Sequence, residues 1–304
     1  MRIRPIVAAV SGALALSALA LPAAHAADAR PKAPADVAGA LAAAHSGTGV
    51  SAYTAGVDGE PYVLDASFSN VKVNNGKNIA VGTTNVVKVP VSFKLTHGAD
   101  VNIQASDFVA AIDLYRGSSF EASVWDFSSD DATCTASSST VASCTATVSI
   151  DPLFLLNEDA GAWKAAGYAV AFNGEDPNDP NLDNVGVAVT DKVGAFNLQR
   201  YSKLTVNAAP EPVKKGKTVT VTGKLSRANW DDSAYRGYAT QPVKLQFRKK
   251  SATTYTTLKT VNTTSTGTLK TTTTATVDGY FRYSFAGTTT TPAVSAAGDY
   301  VDVQ

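Results

Sequence analysis

The densest run of oxygen ligands in the chain is NGEDPNDPNLDN, residues 173–184. Asp179, Asn181 and Asp183 fall at alternate positions, the spacing that opens an EF-hand loop, and Ca2+ requires several such oxygens at once. The sixth position of that loop is Asn184 where glycine is needed, no glutamate stands at the twelfth, and no flanking helices are predicted, so this is not an EF-hand. A looser site on a β-sandwich loop remains, built from Asp176, Asp179, Asn181 and Asp183, with calcium as its cofactor. The competing reading is an exposed turn, because Asp, Asn, Gly and Pro are also what turns use.

Other chemistry is thin. Past the first 26 residues the only histidines are His45 and His97, and neither lies in a His-x-x-x-His or His-Glu-x-x-His spacing. No Gly-x-Ser-x-Gly elbow occurs. Cys134 and Cys144, the only cysteines, lie in TCTASSSTVASC, where Ser-rich residues separate two Thr/Val-rich flanks; in an exported chain they are expected to form a disulfide across a hairpin. No catalytic residue is assigned, and the chain is expected not to be an enzyme.

Two surfaces suit binding. The loop SRANWDDSAYRGYATQ sets Trp230, Tyr235 and Tyr238 among Arg227, Asn229, Asp231, Asp232 and Arg236, a mixture of flat rings and polar groups that holds a sugar or a peptide. Its competing reading has the rings capping the end of a sandwich and packing on its core. Charge marks the second surface. Residues 27–200 hold 10 basic against 20 acidic side chains, a balance of −10, while residues 201–304 hold 14 against 6, a balance of +8. The basic excess concentrates in Lys214, Lys215 and Lys217 at one predicted turn and in Arg248, Lys249 and Lys250 at another. Such clusters attract polyanions, which outside a cell include anionic cell-wall polymers, acidic polysaccharides and extracellular DNA. Lysines also guard strand edges against pairing with other chains.

These residues need a scaffold. MRIRPIVAAVSGALALSALALPAAHA sets Arg2 and Arg4 ahead of an apolar run that ends at Ala24-His25-Ala26, so residues 1–26 read as a signal peptide and the product as a secreted, extracellular protein. Residues 27–61 are an Ala/Pro/Gly-rich linker. From Tyr62 the pattern has period two: VVKVPVSFKL puts Val87, Val89, Val91, Phe93 and Leu95 on one face, with Pro90 pointing to an edge strand. AIDLYR sets Ile112 and Leu114 against Asp113 and Tyr115. From Tyr201 the alternation is cleaner: Val219, Val221 and Leu225, then Val243, Leu245 and Phe247, then Phe281, Tyr283 and Phe285. Asp278-Gly279 signals a two-residue hairpin, and Val301 and Val303 face inward on a last strand. The expected fold is all-β: an acidic sandwich over 62–200 and a basic one over 201–304, both immunoglobulin-like. Pro210 and Pro212 should kink the first strand of the second sandwich rather than mark a linker.

The stretch VKKGKTVTVTGKLSRANW, with QPVKLQFRKK, DGYFRYSFAG and a terminal DYVDV, resembles the immunoglobulin-like domain at the C-terminus of small secreted actinobacterial proteins, some of which carry the broad description calcium-binding. The resemblance covers about the last hundred residues and implies the fold of that part, with no catalytic residue. DAGAWKAAGYAVAF in the first half is similar to a turn and strand of bacterial extracellular sandwiches. The leading expectation is therefore a secreted, non-enzymatic tandem immunoglobulin-like protein with a structural or surface-binding role. The alternatives are a calcium-binding extracellular protein and a carbohydrate-binding module using the Trp230 loop.

Overall fold

The computed structural model describes residues 60–304, apart from positions 122 and 178 and the side chains of residues 124 and 125. The expected leader, most of the linker and His45 lie outside these residues.

The chain is all-β and folds as two successive sandwiches of immunoglobulin-like build. In the first, one sheet runs Tyr62–Val63, Gly186–Arg200, Gly161–Ala171, Phe108–Gly117 and Ser123–Ser128, with Ile79–Val81 added in parallel beside Gly186–Arg200. The facing sheet runs Ala66–Val73, Val87–His97, Val141–Ile150 and Thr133–Ala136. Val89, Val91, Phe93 and Leu95 point into the space between them and meet Ile112, Leu114 and Trp163 from the other sheet. Each such side chain contributes about 1.5–3 kcal/mol when fully buried. The Trp163 indole N–H donates to the Asp159 carbonyl, so the ring is buried with its polar atom satisfied.

In the second sandwich Thr218–Asn229 is the hub of one sheet, pairing with Ser202–Leu204, Asn207–Ala209, Ala234–Gly237 and Thr268–Thr274. The other sheet holds Thr256–Asn262, Pro242–Lys249, Gly279–Phe285, Val294–Ser295 and Asp299–Val301. Val219, Val221, Leu225, Leu245, Phe281 and Tyr283 fill the space between, and the Tyr283 hydroxyl donates to the Val221 carbonyl. After Pro210 and Pro212 the chain leaves the first sheet, and Val213 bridges in parallel to Val303 beside the second. The prolines thus mark a change of sheet inside this sandwich.

Cys134 and Cys144 are directly opposed on neighbouring strands, with Cα atoms 4.1 Å apart, and are joined by a disulfide. Closing so short a loop restricts the unfolded chain and is worth about 2–3 kcal/mol.

Three local expectations are corrected. Pro90 does not lie on an edge strand, because Val87–His97 is flanked on both sides. Its missing N–H is tolerated for local reasons: it falls one residue beyond the last pair on one side, Val73–Val91, and opposite Thr147 on the other. The Thr147 N–H donates to the Asp130 carboxylate, and its carbonyl accepts from the Asp130 N–H. Asp278-Gly279 does not close a hairpin either. Thr268–Thr274 and Gly279–Phe285 belong to opposite sheets, and the turn carries the chain between them. Glycine is needed there because a Cβ on Gly279 would lie 2.3 Å from the Arg248 carbonyl oxygen.

The third correction concerns Phe108–Gly117, which buries both faces. Ala111, Asp113 and Tyr115 are as enclosed as Ile112 and Leu114 opposite. Ala111, Tyr168, Val170, Phe172 and Val187 form a small second core on the outer face of the sheet, completed by Leu182 and Val185 from the loop that follows Gly161–Ala171. Asp113 is the anomaly on that face. Its Oδ1 has no hydrogen-bond partner among the described residues. Burial first, and then the nearby Asp126 charge, push its carboxyl up to about 7. The folded chain therefore retains this proton over a range in which the unfolded chain, at an ordinary 3.8, releases it. Stability should fall as pH rises from about 4 to 7 and stay at the lower level above it. Asp113→Asn is expected to match the parent protein near pH 4 and to melt higher than it near pH 8. Thermal melts of both proteins across that range check this; parallel curves at every pH would be the contrary result.

Candidate functional site

The acidic loop is built as a lid on the outer sheet face. Glu175, absent from the predicted ligand set, organises it: its carboxylate accepts from the Asn181 backbone N–H and from the Asn184 side-chain amide. The Asn181 side chain accepts from the Asp183 N–H, and the Asp183 carboxylate accepts from the Glu60 N–H. Asn173 donates to the Tyr62 hydroxyl and to the Asn184 carbonyl. These bonds are what turn residues make, and together they lower Leu182 and Val185 onto the sheet. Among the described residues, no three or more His, Cys, Asp or Glu side chains are grouped so as to hold a metal ion. In this loop Asn181 and Asp183 each accept from a backbone N–H.

The Trp230 loop is a joint between the sandwiches. Trp230 is completely buried and belongs to the core cluster of the first sandwich, although the strand it follows belongs to the second. Its indole N–H donates to the Gly82 carbonyl at 2.8 Å, and its backbone N–H donates to the Asn157 side chain at 3.0 Å. Asn157 also donates to Asn229 and to Asp231, so one amide holds three consecutive residues of the loop. Arg200 adds a bond from its guanidinium to the Ala228 carbonyl, at 2.6 Å. Burial, and then the neighbouring Arg227, lower the Arg200 guanidinium to about 10.

The ligand-surface reading of this loop is accordingly corrected. Trp230 presents no ring face to solvent. Tyr235 lies under the Lys203 ammonium, 3.5 Å from the ring centre, and packs on the first core. Tyr238 is covered by Arg227 at 3.8 Å and meets Phe285 edge-on. Arg236 is committed to an ion pair with Asp232 at 2.7 Å. The rings do cap the end of a sandwich, as the competing reading expected, but the core that receives Trp230 is that of the neighbouring unit.

At the opposite end of the second sandwich the fold brings the two basic triplets together. Thr218–Asn229 begins just after Lys217 and ends at the joint, a span of roughly 35–40 Å for an extended strand of this length. Lys214 and Lys217 close a turn in which Gly216 takes φ +82°, a left-handed conformation that favours glycine. The Lys215 N–H donates to the Gln304 carbonyl, tying this turn to the last strand. The Val303 N–H and the Tyr300 hydroxyl both donate to the Asp278 carboxylate, and the Lys250 N–H donates to the Asp278 carbonyl. A continuous set of bonds thus links Lys214–Lys217 with Lys250. Lys214, Lys215, Lys217 and Lys249 are exposed.

Two members of the triplets are less free than the sequence suggests. Arg248 is half-buried, stacked 3.8 Å from the Tyr280 ring centre, and it donates to the Ala252 carbonyl. Lys250 lies 3.9 Å from Asp278. The Val303 N–H, and then the Tyr300 hydroxyl, hold the Asp278 carboxyl below its usual range, so it stays ionised beside Lys250. Glu211 and Asp302 share this end, and lysines still dominate it. The pole can attract and hold a polyanion by charge; it carries no grouping suited to covalent chemistry.

No family model matches the chain, and no curated protein matches it. Among solved structures it is similar to the Ig1–Ig3 ectodomain of mouse nectin-like molecule 4, at 14% identity and a TM-score of 0.23, over 77% of this chain and 63% of that one. It is similar to domains A168–A170 of titin at 11% identity and a TM-score of 0.24, over 79% and 67% of the two chains. It is also similar to AggA, the major subunit of aggregative adherence fimbriae type I of Escherichia coli, at 13% identity and a TM-score of 0.19, over 46% of this chain and 98% of that one. Among the described residues no helix is long and apolar enough to cross a membrane.

The joint generates the prediction of this section. Removing the buried indole leaves a cavity in the first core and takes from the Gly82 carbonyl its indole donor, so Trp230→Ala should cost about 3–5 kcal/mol. Chemical denaturation should show the loss, and limited proteolysis should open new cuts near Tyr201. A loss under about 1 kcal/mol would mean that the sandwiches do not depend on this contact.

Proposed function

We propose that this is a secreted, non-enzymatic protein of two immunoglobulin-like sandwiches, in which the first serves as a stand and the second presents a basic pole to anionic polymers of a cell wall or extracellular matrix. The observation that carries this reading is the gathering of Lys214, Lys215, Lys217, Lys249 and Lys250 at the end of the second sandwich that lies farthest from the joint. Charges placed there are kept away from the acidic first sandwich, so the 17 acidic against 8 basic side chains of residues 60–200 do not screen them at short range. Lys214, Lys215, Lys217 and Lys250 stand on turns, and Lys249 ends a strand paired on both sides, so none lies along a strand edge where a guard against edge pairing would need it.

The test is co-sedimentation of the secreted protein with anionic cell-wall material. Binding is expected at low salt and should weaken steeply towards physiological salt, where exposed charges lose most of their reach beyond about 8–10 Å. Replacing Lys214, Lys215, Lys217, Lys249 and Lys250 with Gln should abolish sedimentation while shifting the melting temperature little. Sedimentation indifferent to both salt and these substitutions would reduce the pole to a solubility device.

A further inference from the structure

Next to the pole lies a surface that the sequence does not single out, the outer face of the sheet holding Pro242–Lys249 and Gly279–Phe285. Three cross-strand rows define it. Arg248 stands opposite Tyr280, which stands opposite Tyr300. One row on, Gln246 faces Arg282; a further row on, Lys244 faces Ser284. These rows carry three cations and no carboxylate.

The side chains hold one another in place. Arg248 stacks on Tyr280 at 3.8 Å from the ring centre, and the Tyr280 and Tyr300 rings are 5.1 Å apart. Tyr255, from the loop before Thr256–Asn262, brings its ring to Arg282 at 3.9 Å and to Arg248 at 5.3 Å. Gly298 makes room for it, since a Cβ there would come 2.1 Å from the Tyr255 hydroxyl. Arg282 donates its Nε–H to Gln246 at 2.8 Å, and Arg248 donates to the Ala252 carbonyl. Neither guanidinium is paired with a carboxylate among the described residues. The result is a rigid array of two guanidiniums interleaved with tyrosines, flanked by the exposed Lys244.

We infer that this face binds a carboxylate-bearing polysaccharide, an inference that rests on the polyanion-binding reading of the neighbouring pole and names the class of polymer. Two features select it. Guanidinium forks donate to carboxylates in a bidentate manner, and here they are held before the ligand arrives, so little side-chain freedom is lost on binding. Between them stand neutral hydroxyl and amide groups, Tyr280, Tyr255 and Gln246, which suit a chain whose charges alternate with hydroxyls. Single-stranded nucleic acid is disfavoured by the same stacking: it needs open ring faces for its bases, and the faces of Tyr255 and Tyr280 are covered by the arginines.

Polygalacturonate serves as the probe, with neutral dextran and oligothymidylate as comparisons, all against the intact secreted protein. Polygalacturonate should bind and dextran should not. Arg282→Gln should weaken binding roughly tenfold, the loss of one charge-assisted contact. Arg282→Lys should recover only part of it, because the charge returns without the fork. Lys244→Gln, at an exposed site outside the stack, should cost roughly two- to fivefold and guards against a folding defect in the arginine variants. If Arg282→Gln and Lys244→Gln leave affinity unchanged while the lysine substitutions at the pole abolish it, this inference is overturned and the pole stands. If the unaltered protein binds no polyanion at low salt, both fail together. Oligothymidylate binding more tightly than polygalacturonate, and lost in Arg282→Gln, would overturn the choice of polymer.

Discussion

The arrangement of this molecule depends on one buried indole. Trp230 leaves a strand of the second sandwich and completes the core of the first, and its N–H is satisfied by a carbonyl of the unit it enters. An indole is a large apolar surface with one donor, so burying it across a boundary ties two units together only if that donor finds a fixed acceptor. Gly82 supplies it, while Asn157 accepts from the Trp230 backbone N–H and donates to the Asn229 and Asp231 side chains on either side. The contact directs the hub strand Thr218–Asn229 away from the first sandwich, and so decides which end of the second one is free.

Charge is then sorted by position. The joint is made of amide, indole and backbone contacts, with Asp231 as the carboxylate that receives Asn157, rather than of a match between the acidic and basic halves. The +8 balance of the second half is therefore left for its own surfaces. Its cations take two forms there. Lysines at the pole are exposed, suited to long-range attraction; arginines on the adjoining sheet are stacked on tyrosine rings, suited to short-range recognition. Both lie on the second sandwich and away from Trp230.

The first sandwich contributes through a sheet buried on both sides. Its outer face is roofed by Leu182 and Val185, and the acidic residues around them form the turns that bring these two side chains down. A stretch rich in Asp and Asn thus serves an apolar contact. The carboxyl of the buried Asp113 on the same face is raised by burial and then by the nearby Asp126 charge.

Much of this was legible in the chain itself. Period-two alternation in Val87–Leu95, Val219–Leu225 and Phe281–Phe285 specifies half-buried strands, because a one-residue slip would turn every apolar side chain to solvent. Two cysteines flanking a Ser-rich turn specify a disulfide across neighbouring strands. The turn holding Lys214, Lys215 and Lys217 follows from the glycine, proline and charge pattern around it, whereas Arg248 and Lys249, expected at a turn, belong to the end of strand Pro242–Lys249. What alternation does not contain is which strand lies beside which, or what covers the second face of a sheet. Asp278-Gly279 has the local chemistry of a hairpin, yet the strands on its two sides pair in different sheets, because Ala275 stays bonded to Lys217 while Gly279 packs against Arg248. Trp230 reads as a loop aromatic until the first sandwich is present to receive it, and Tyr255, Arg248 and Arg282 become one surface only when three strands and a loop are brought side by side. Local sequence determined the strands, the disulfide and the charges; tertiary structure decided their neighbours, because burial and stacking are properties of surfaces assembled from residues far apart in the chain.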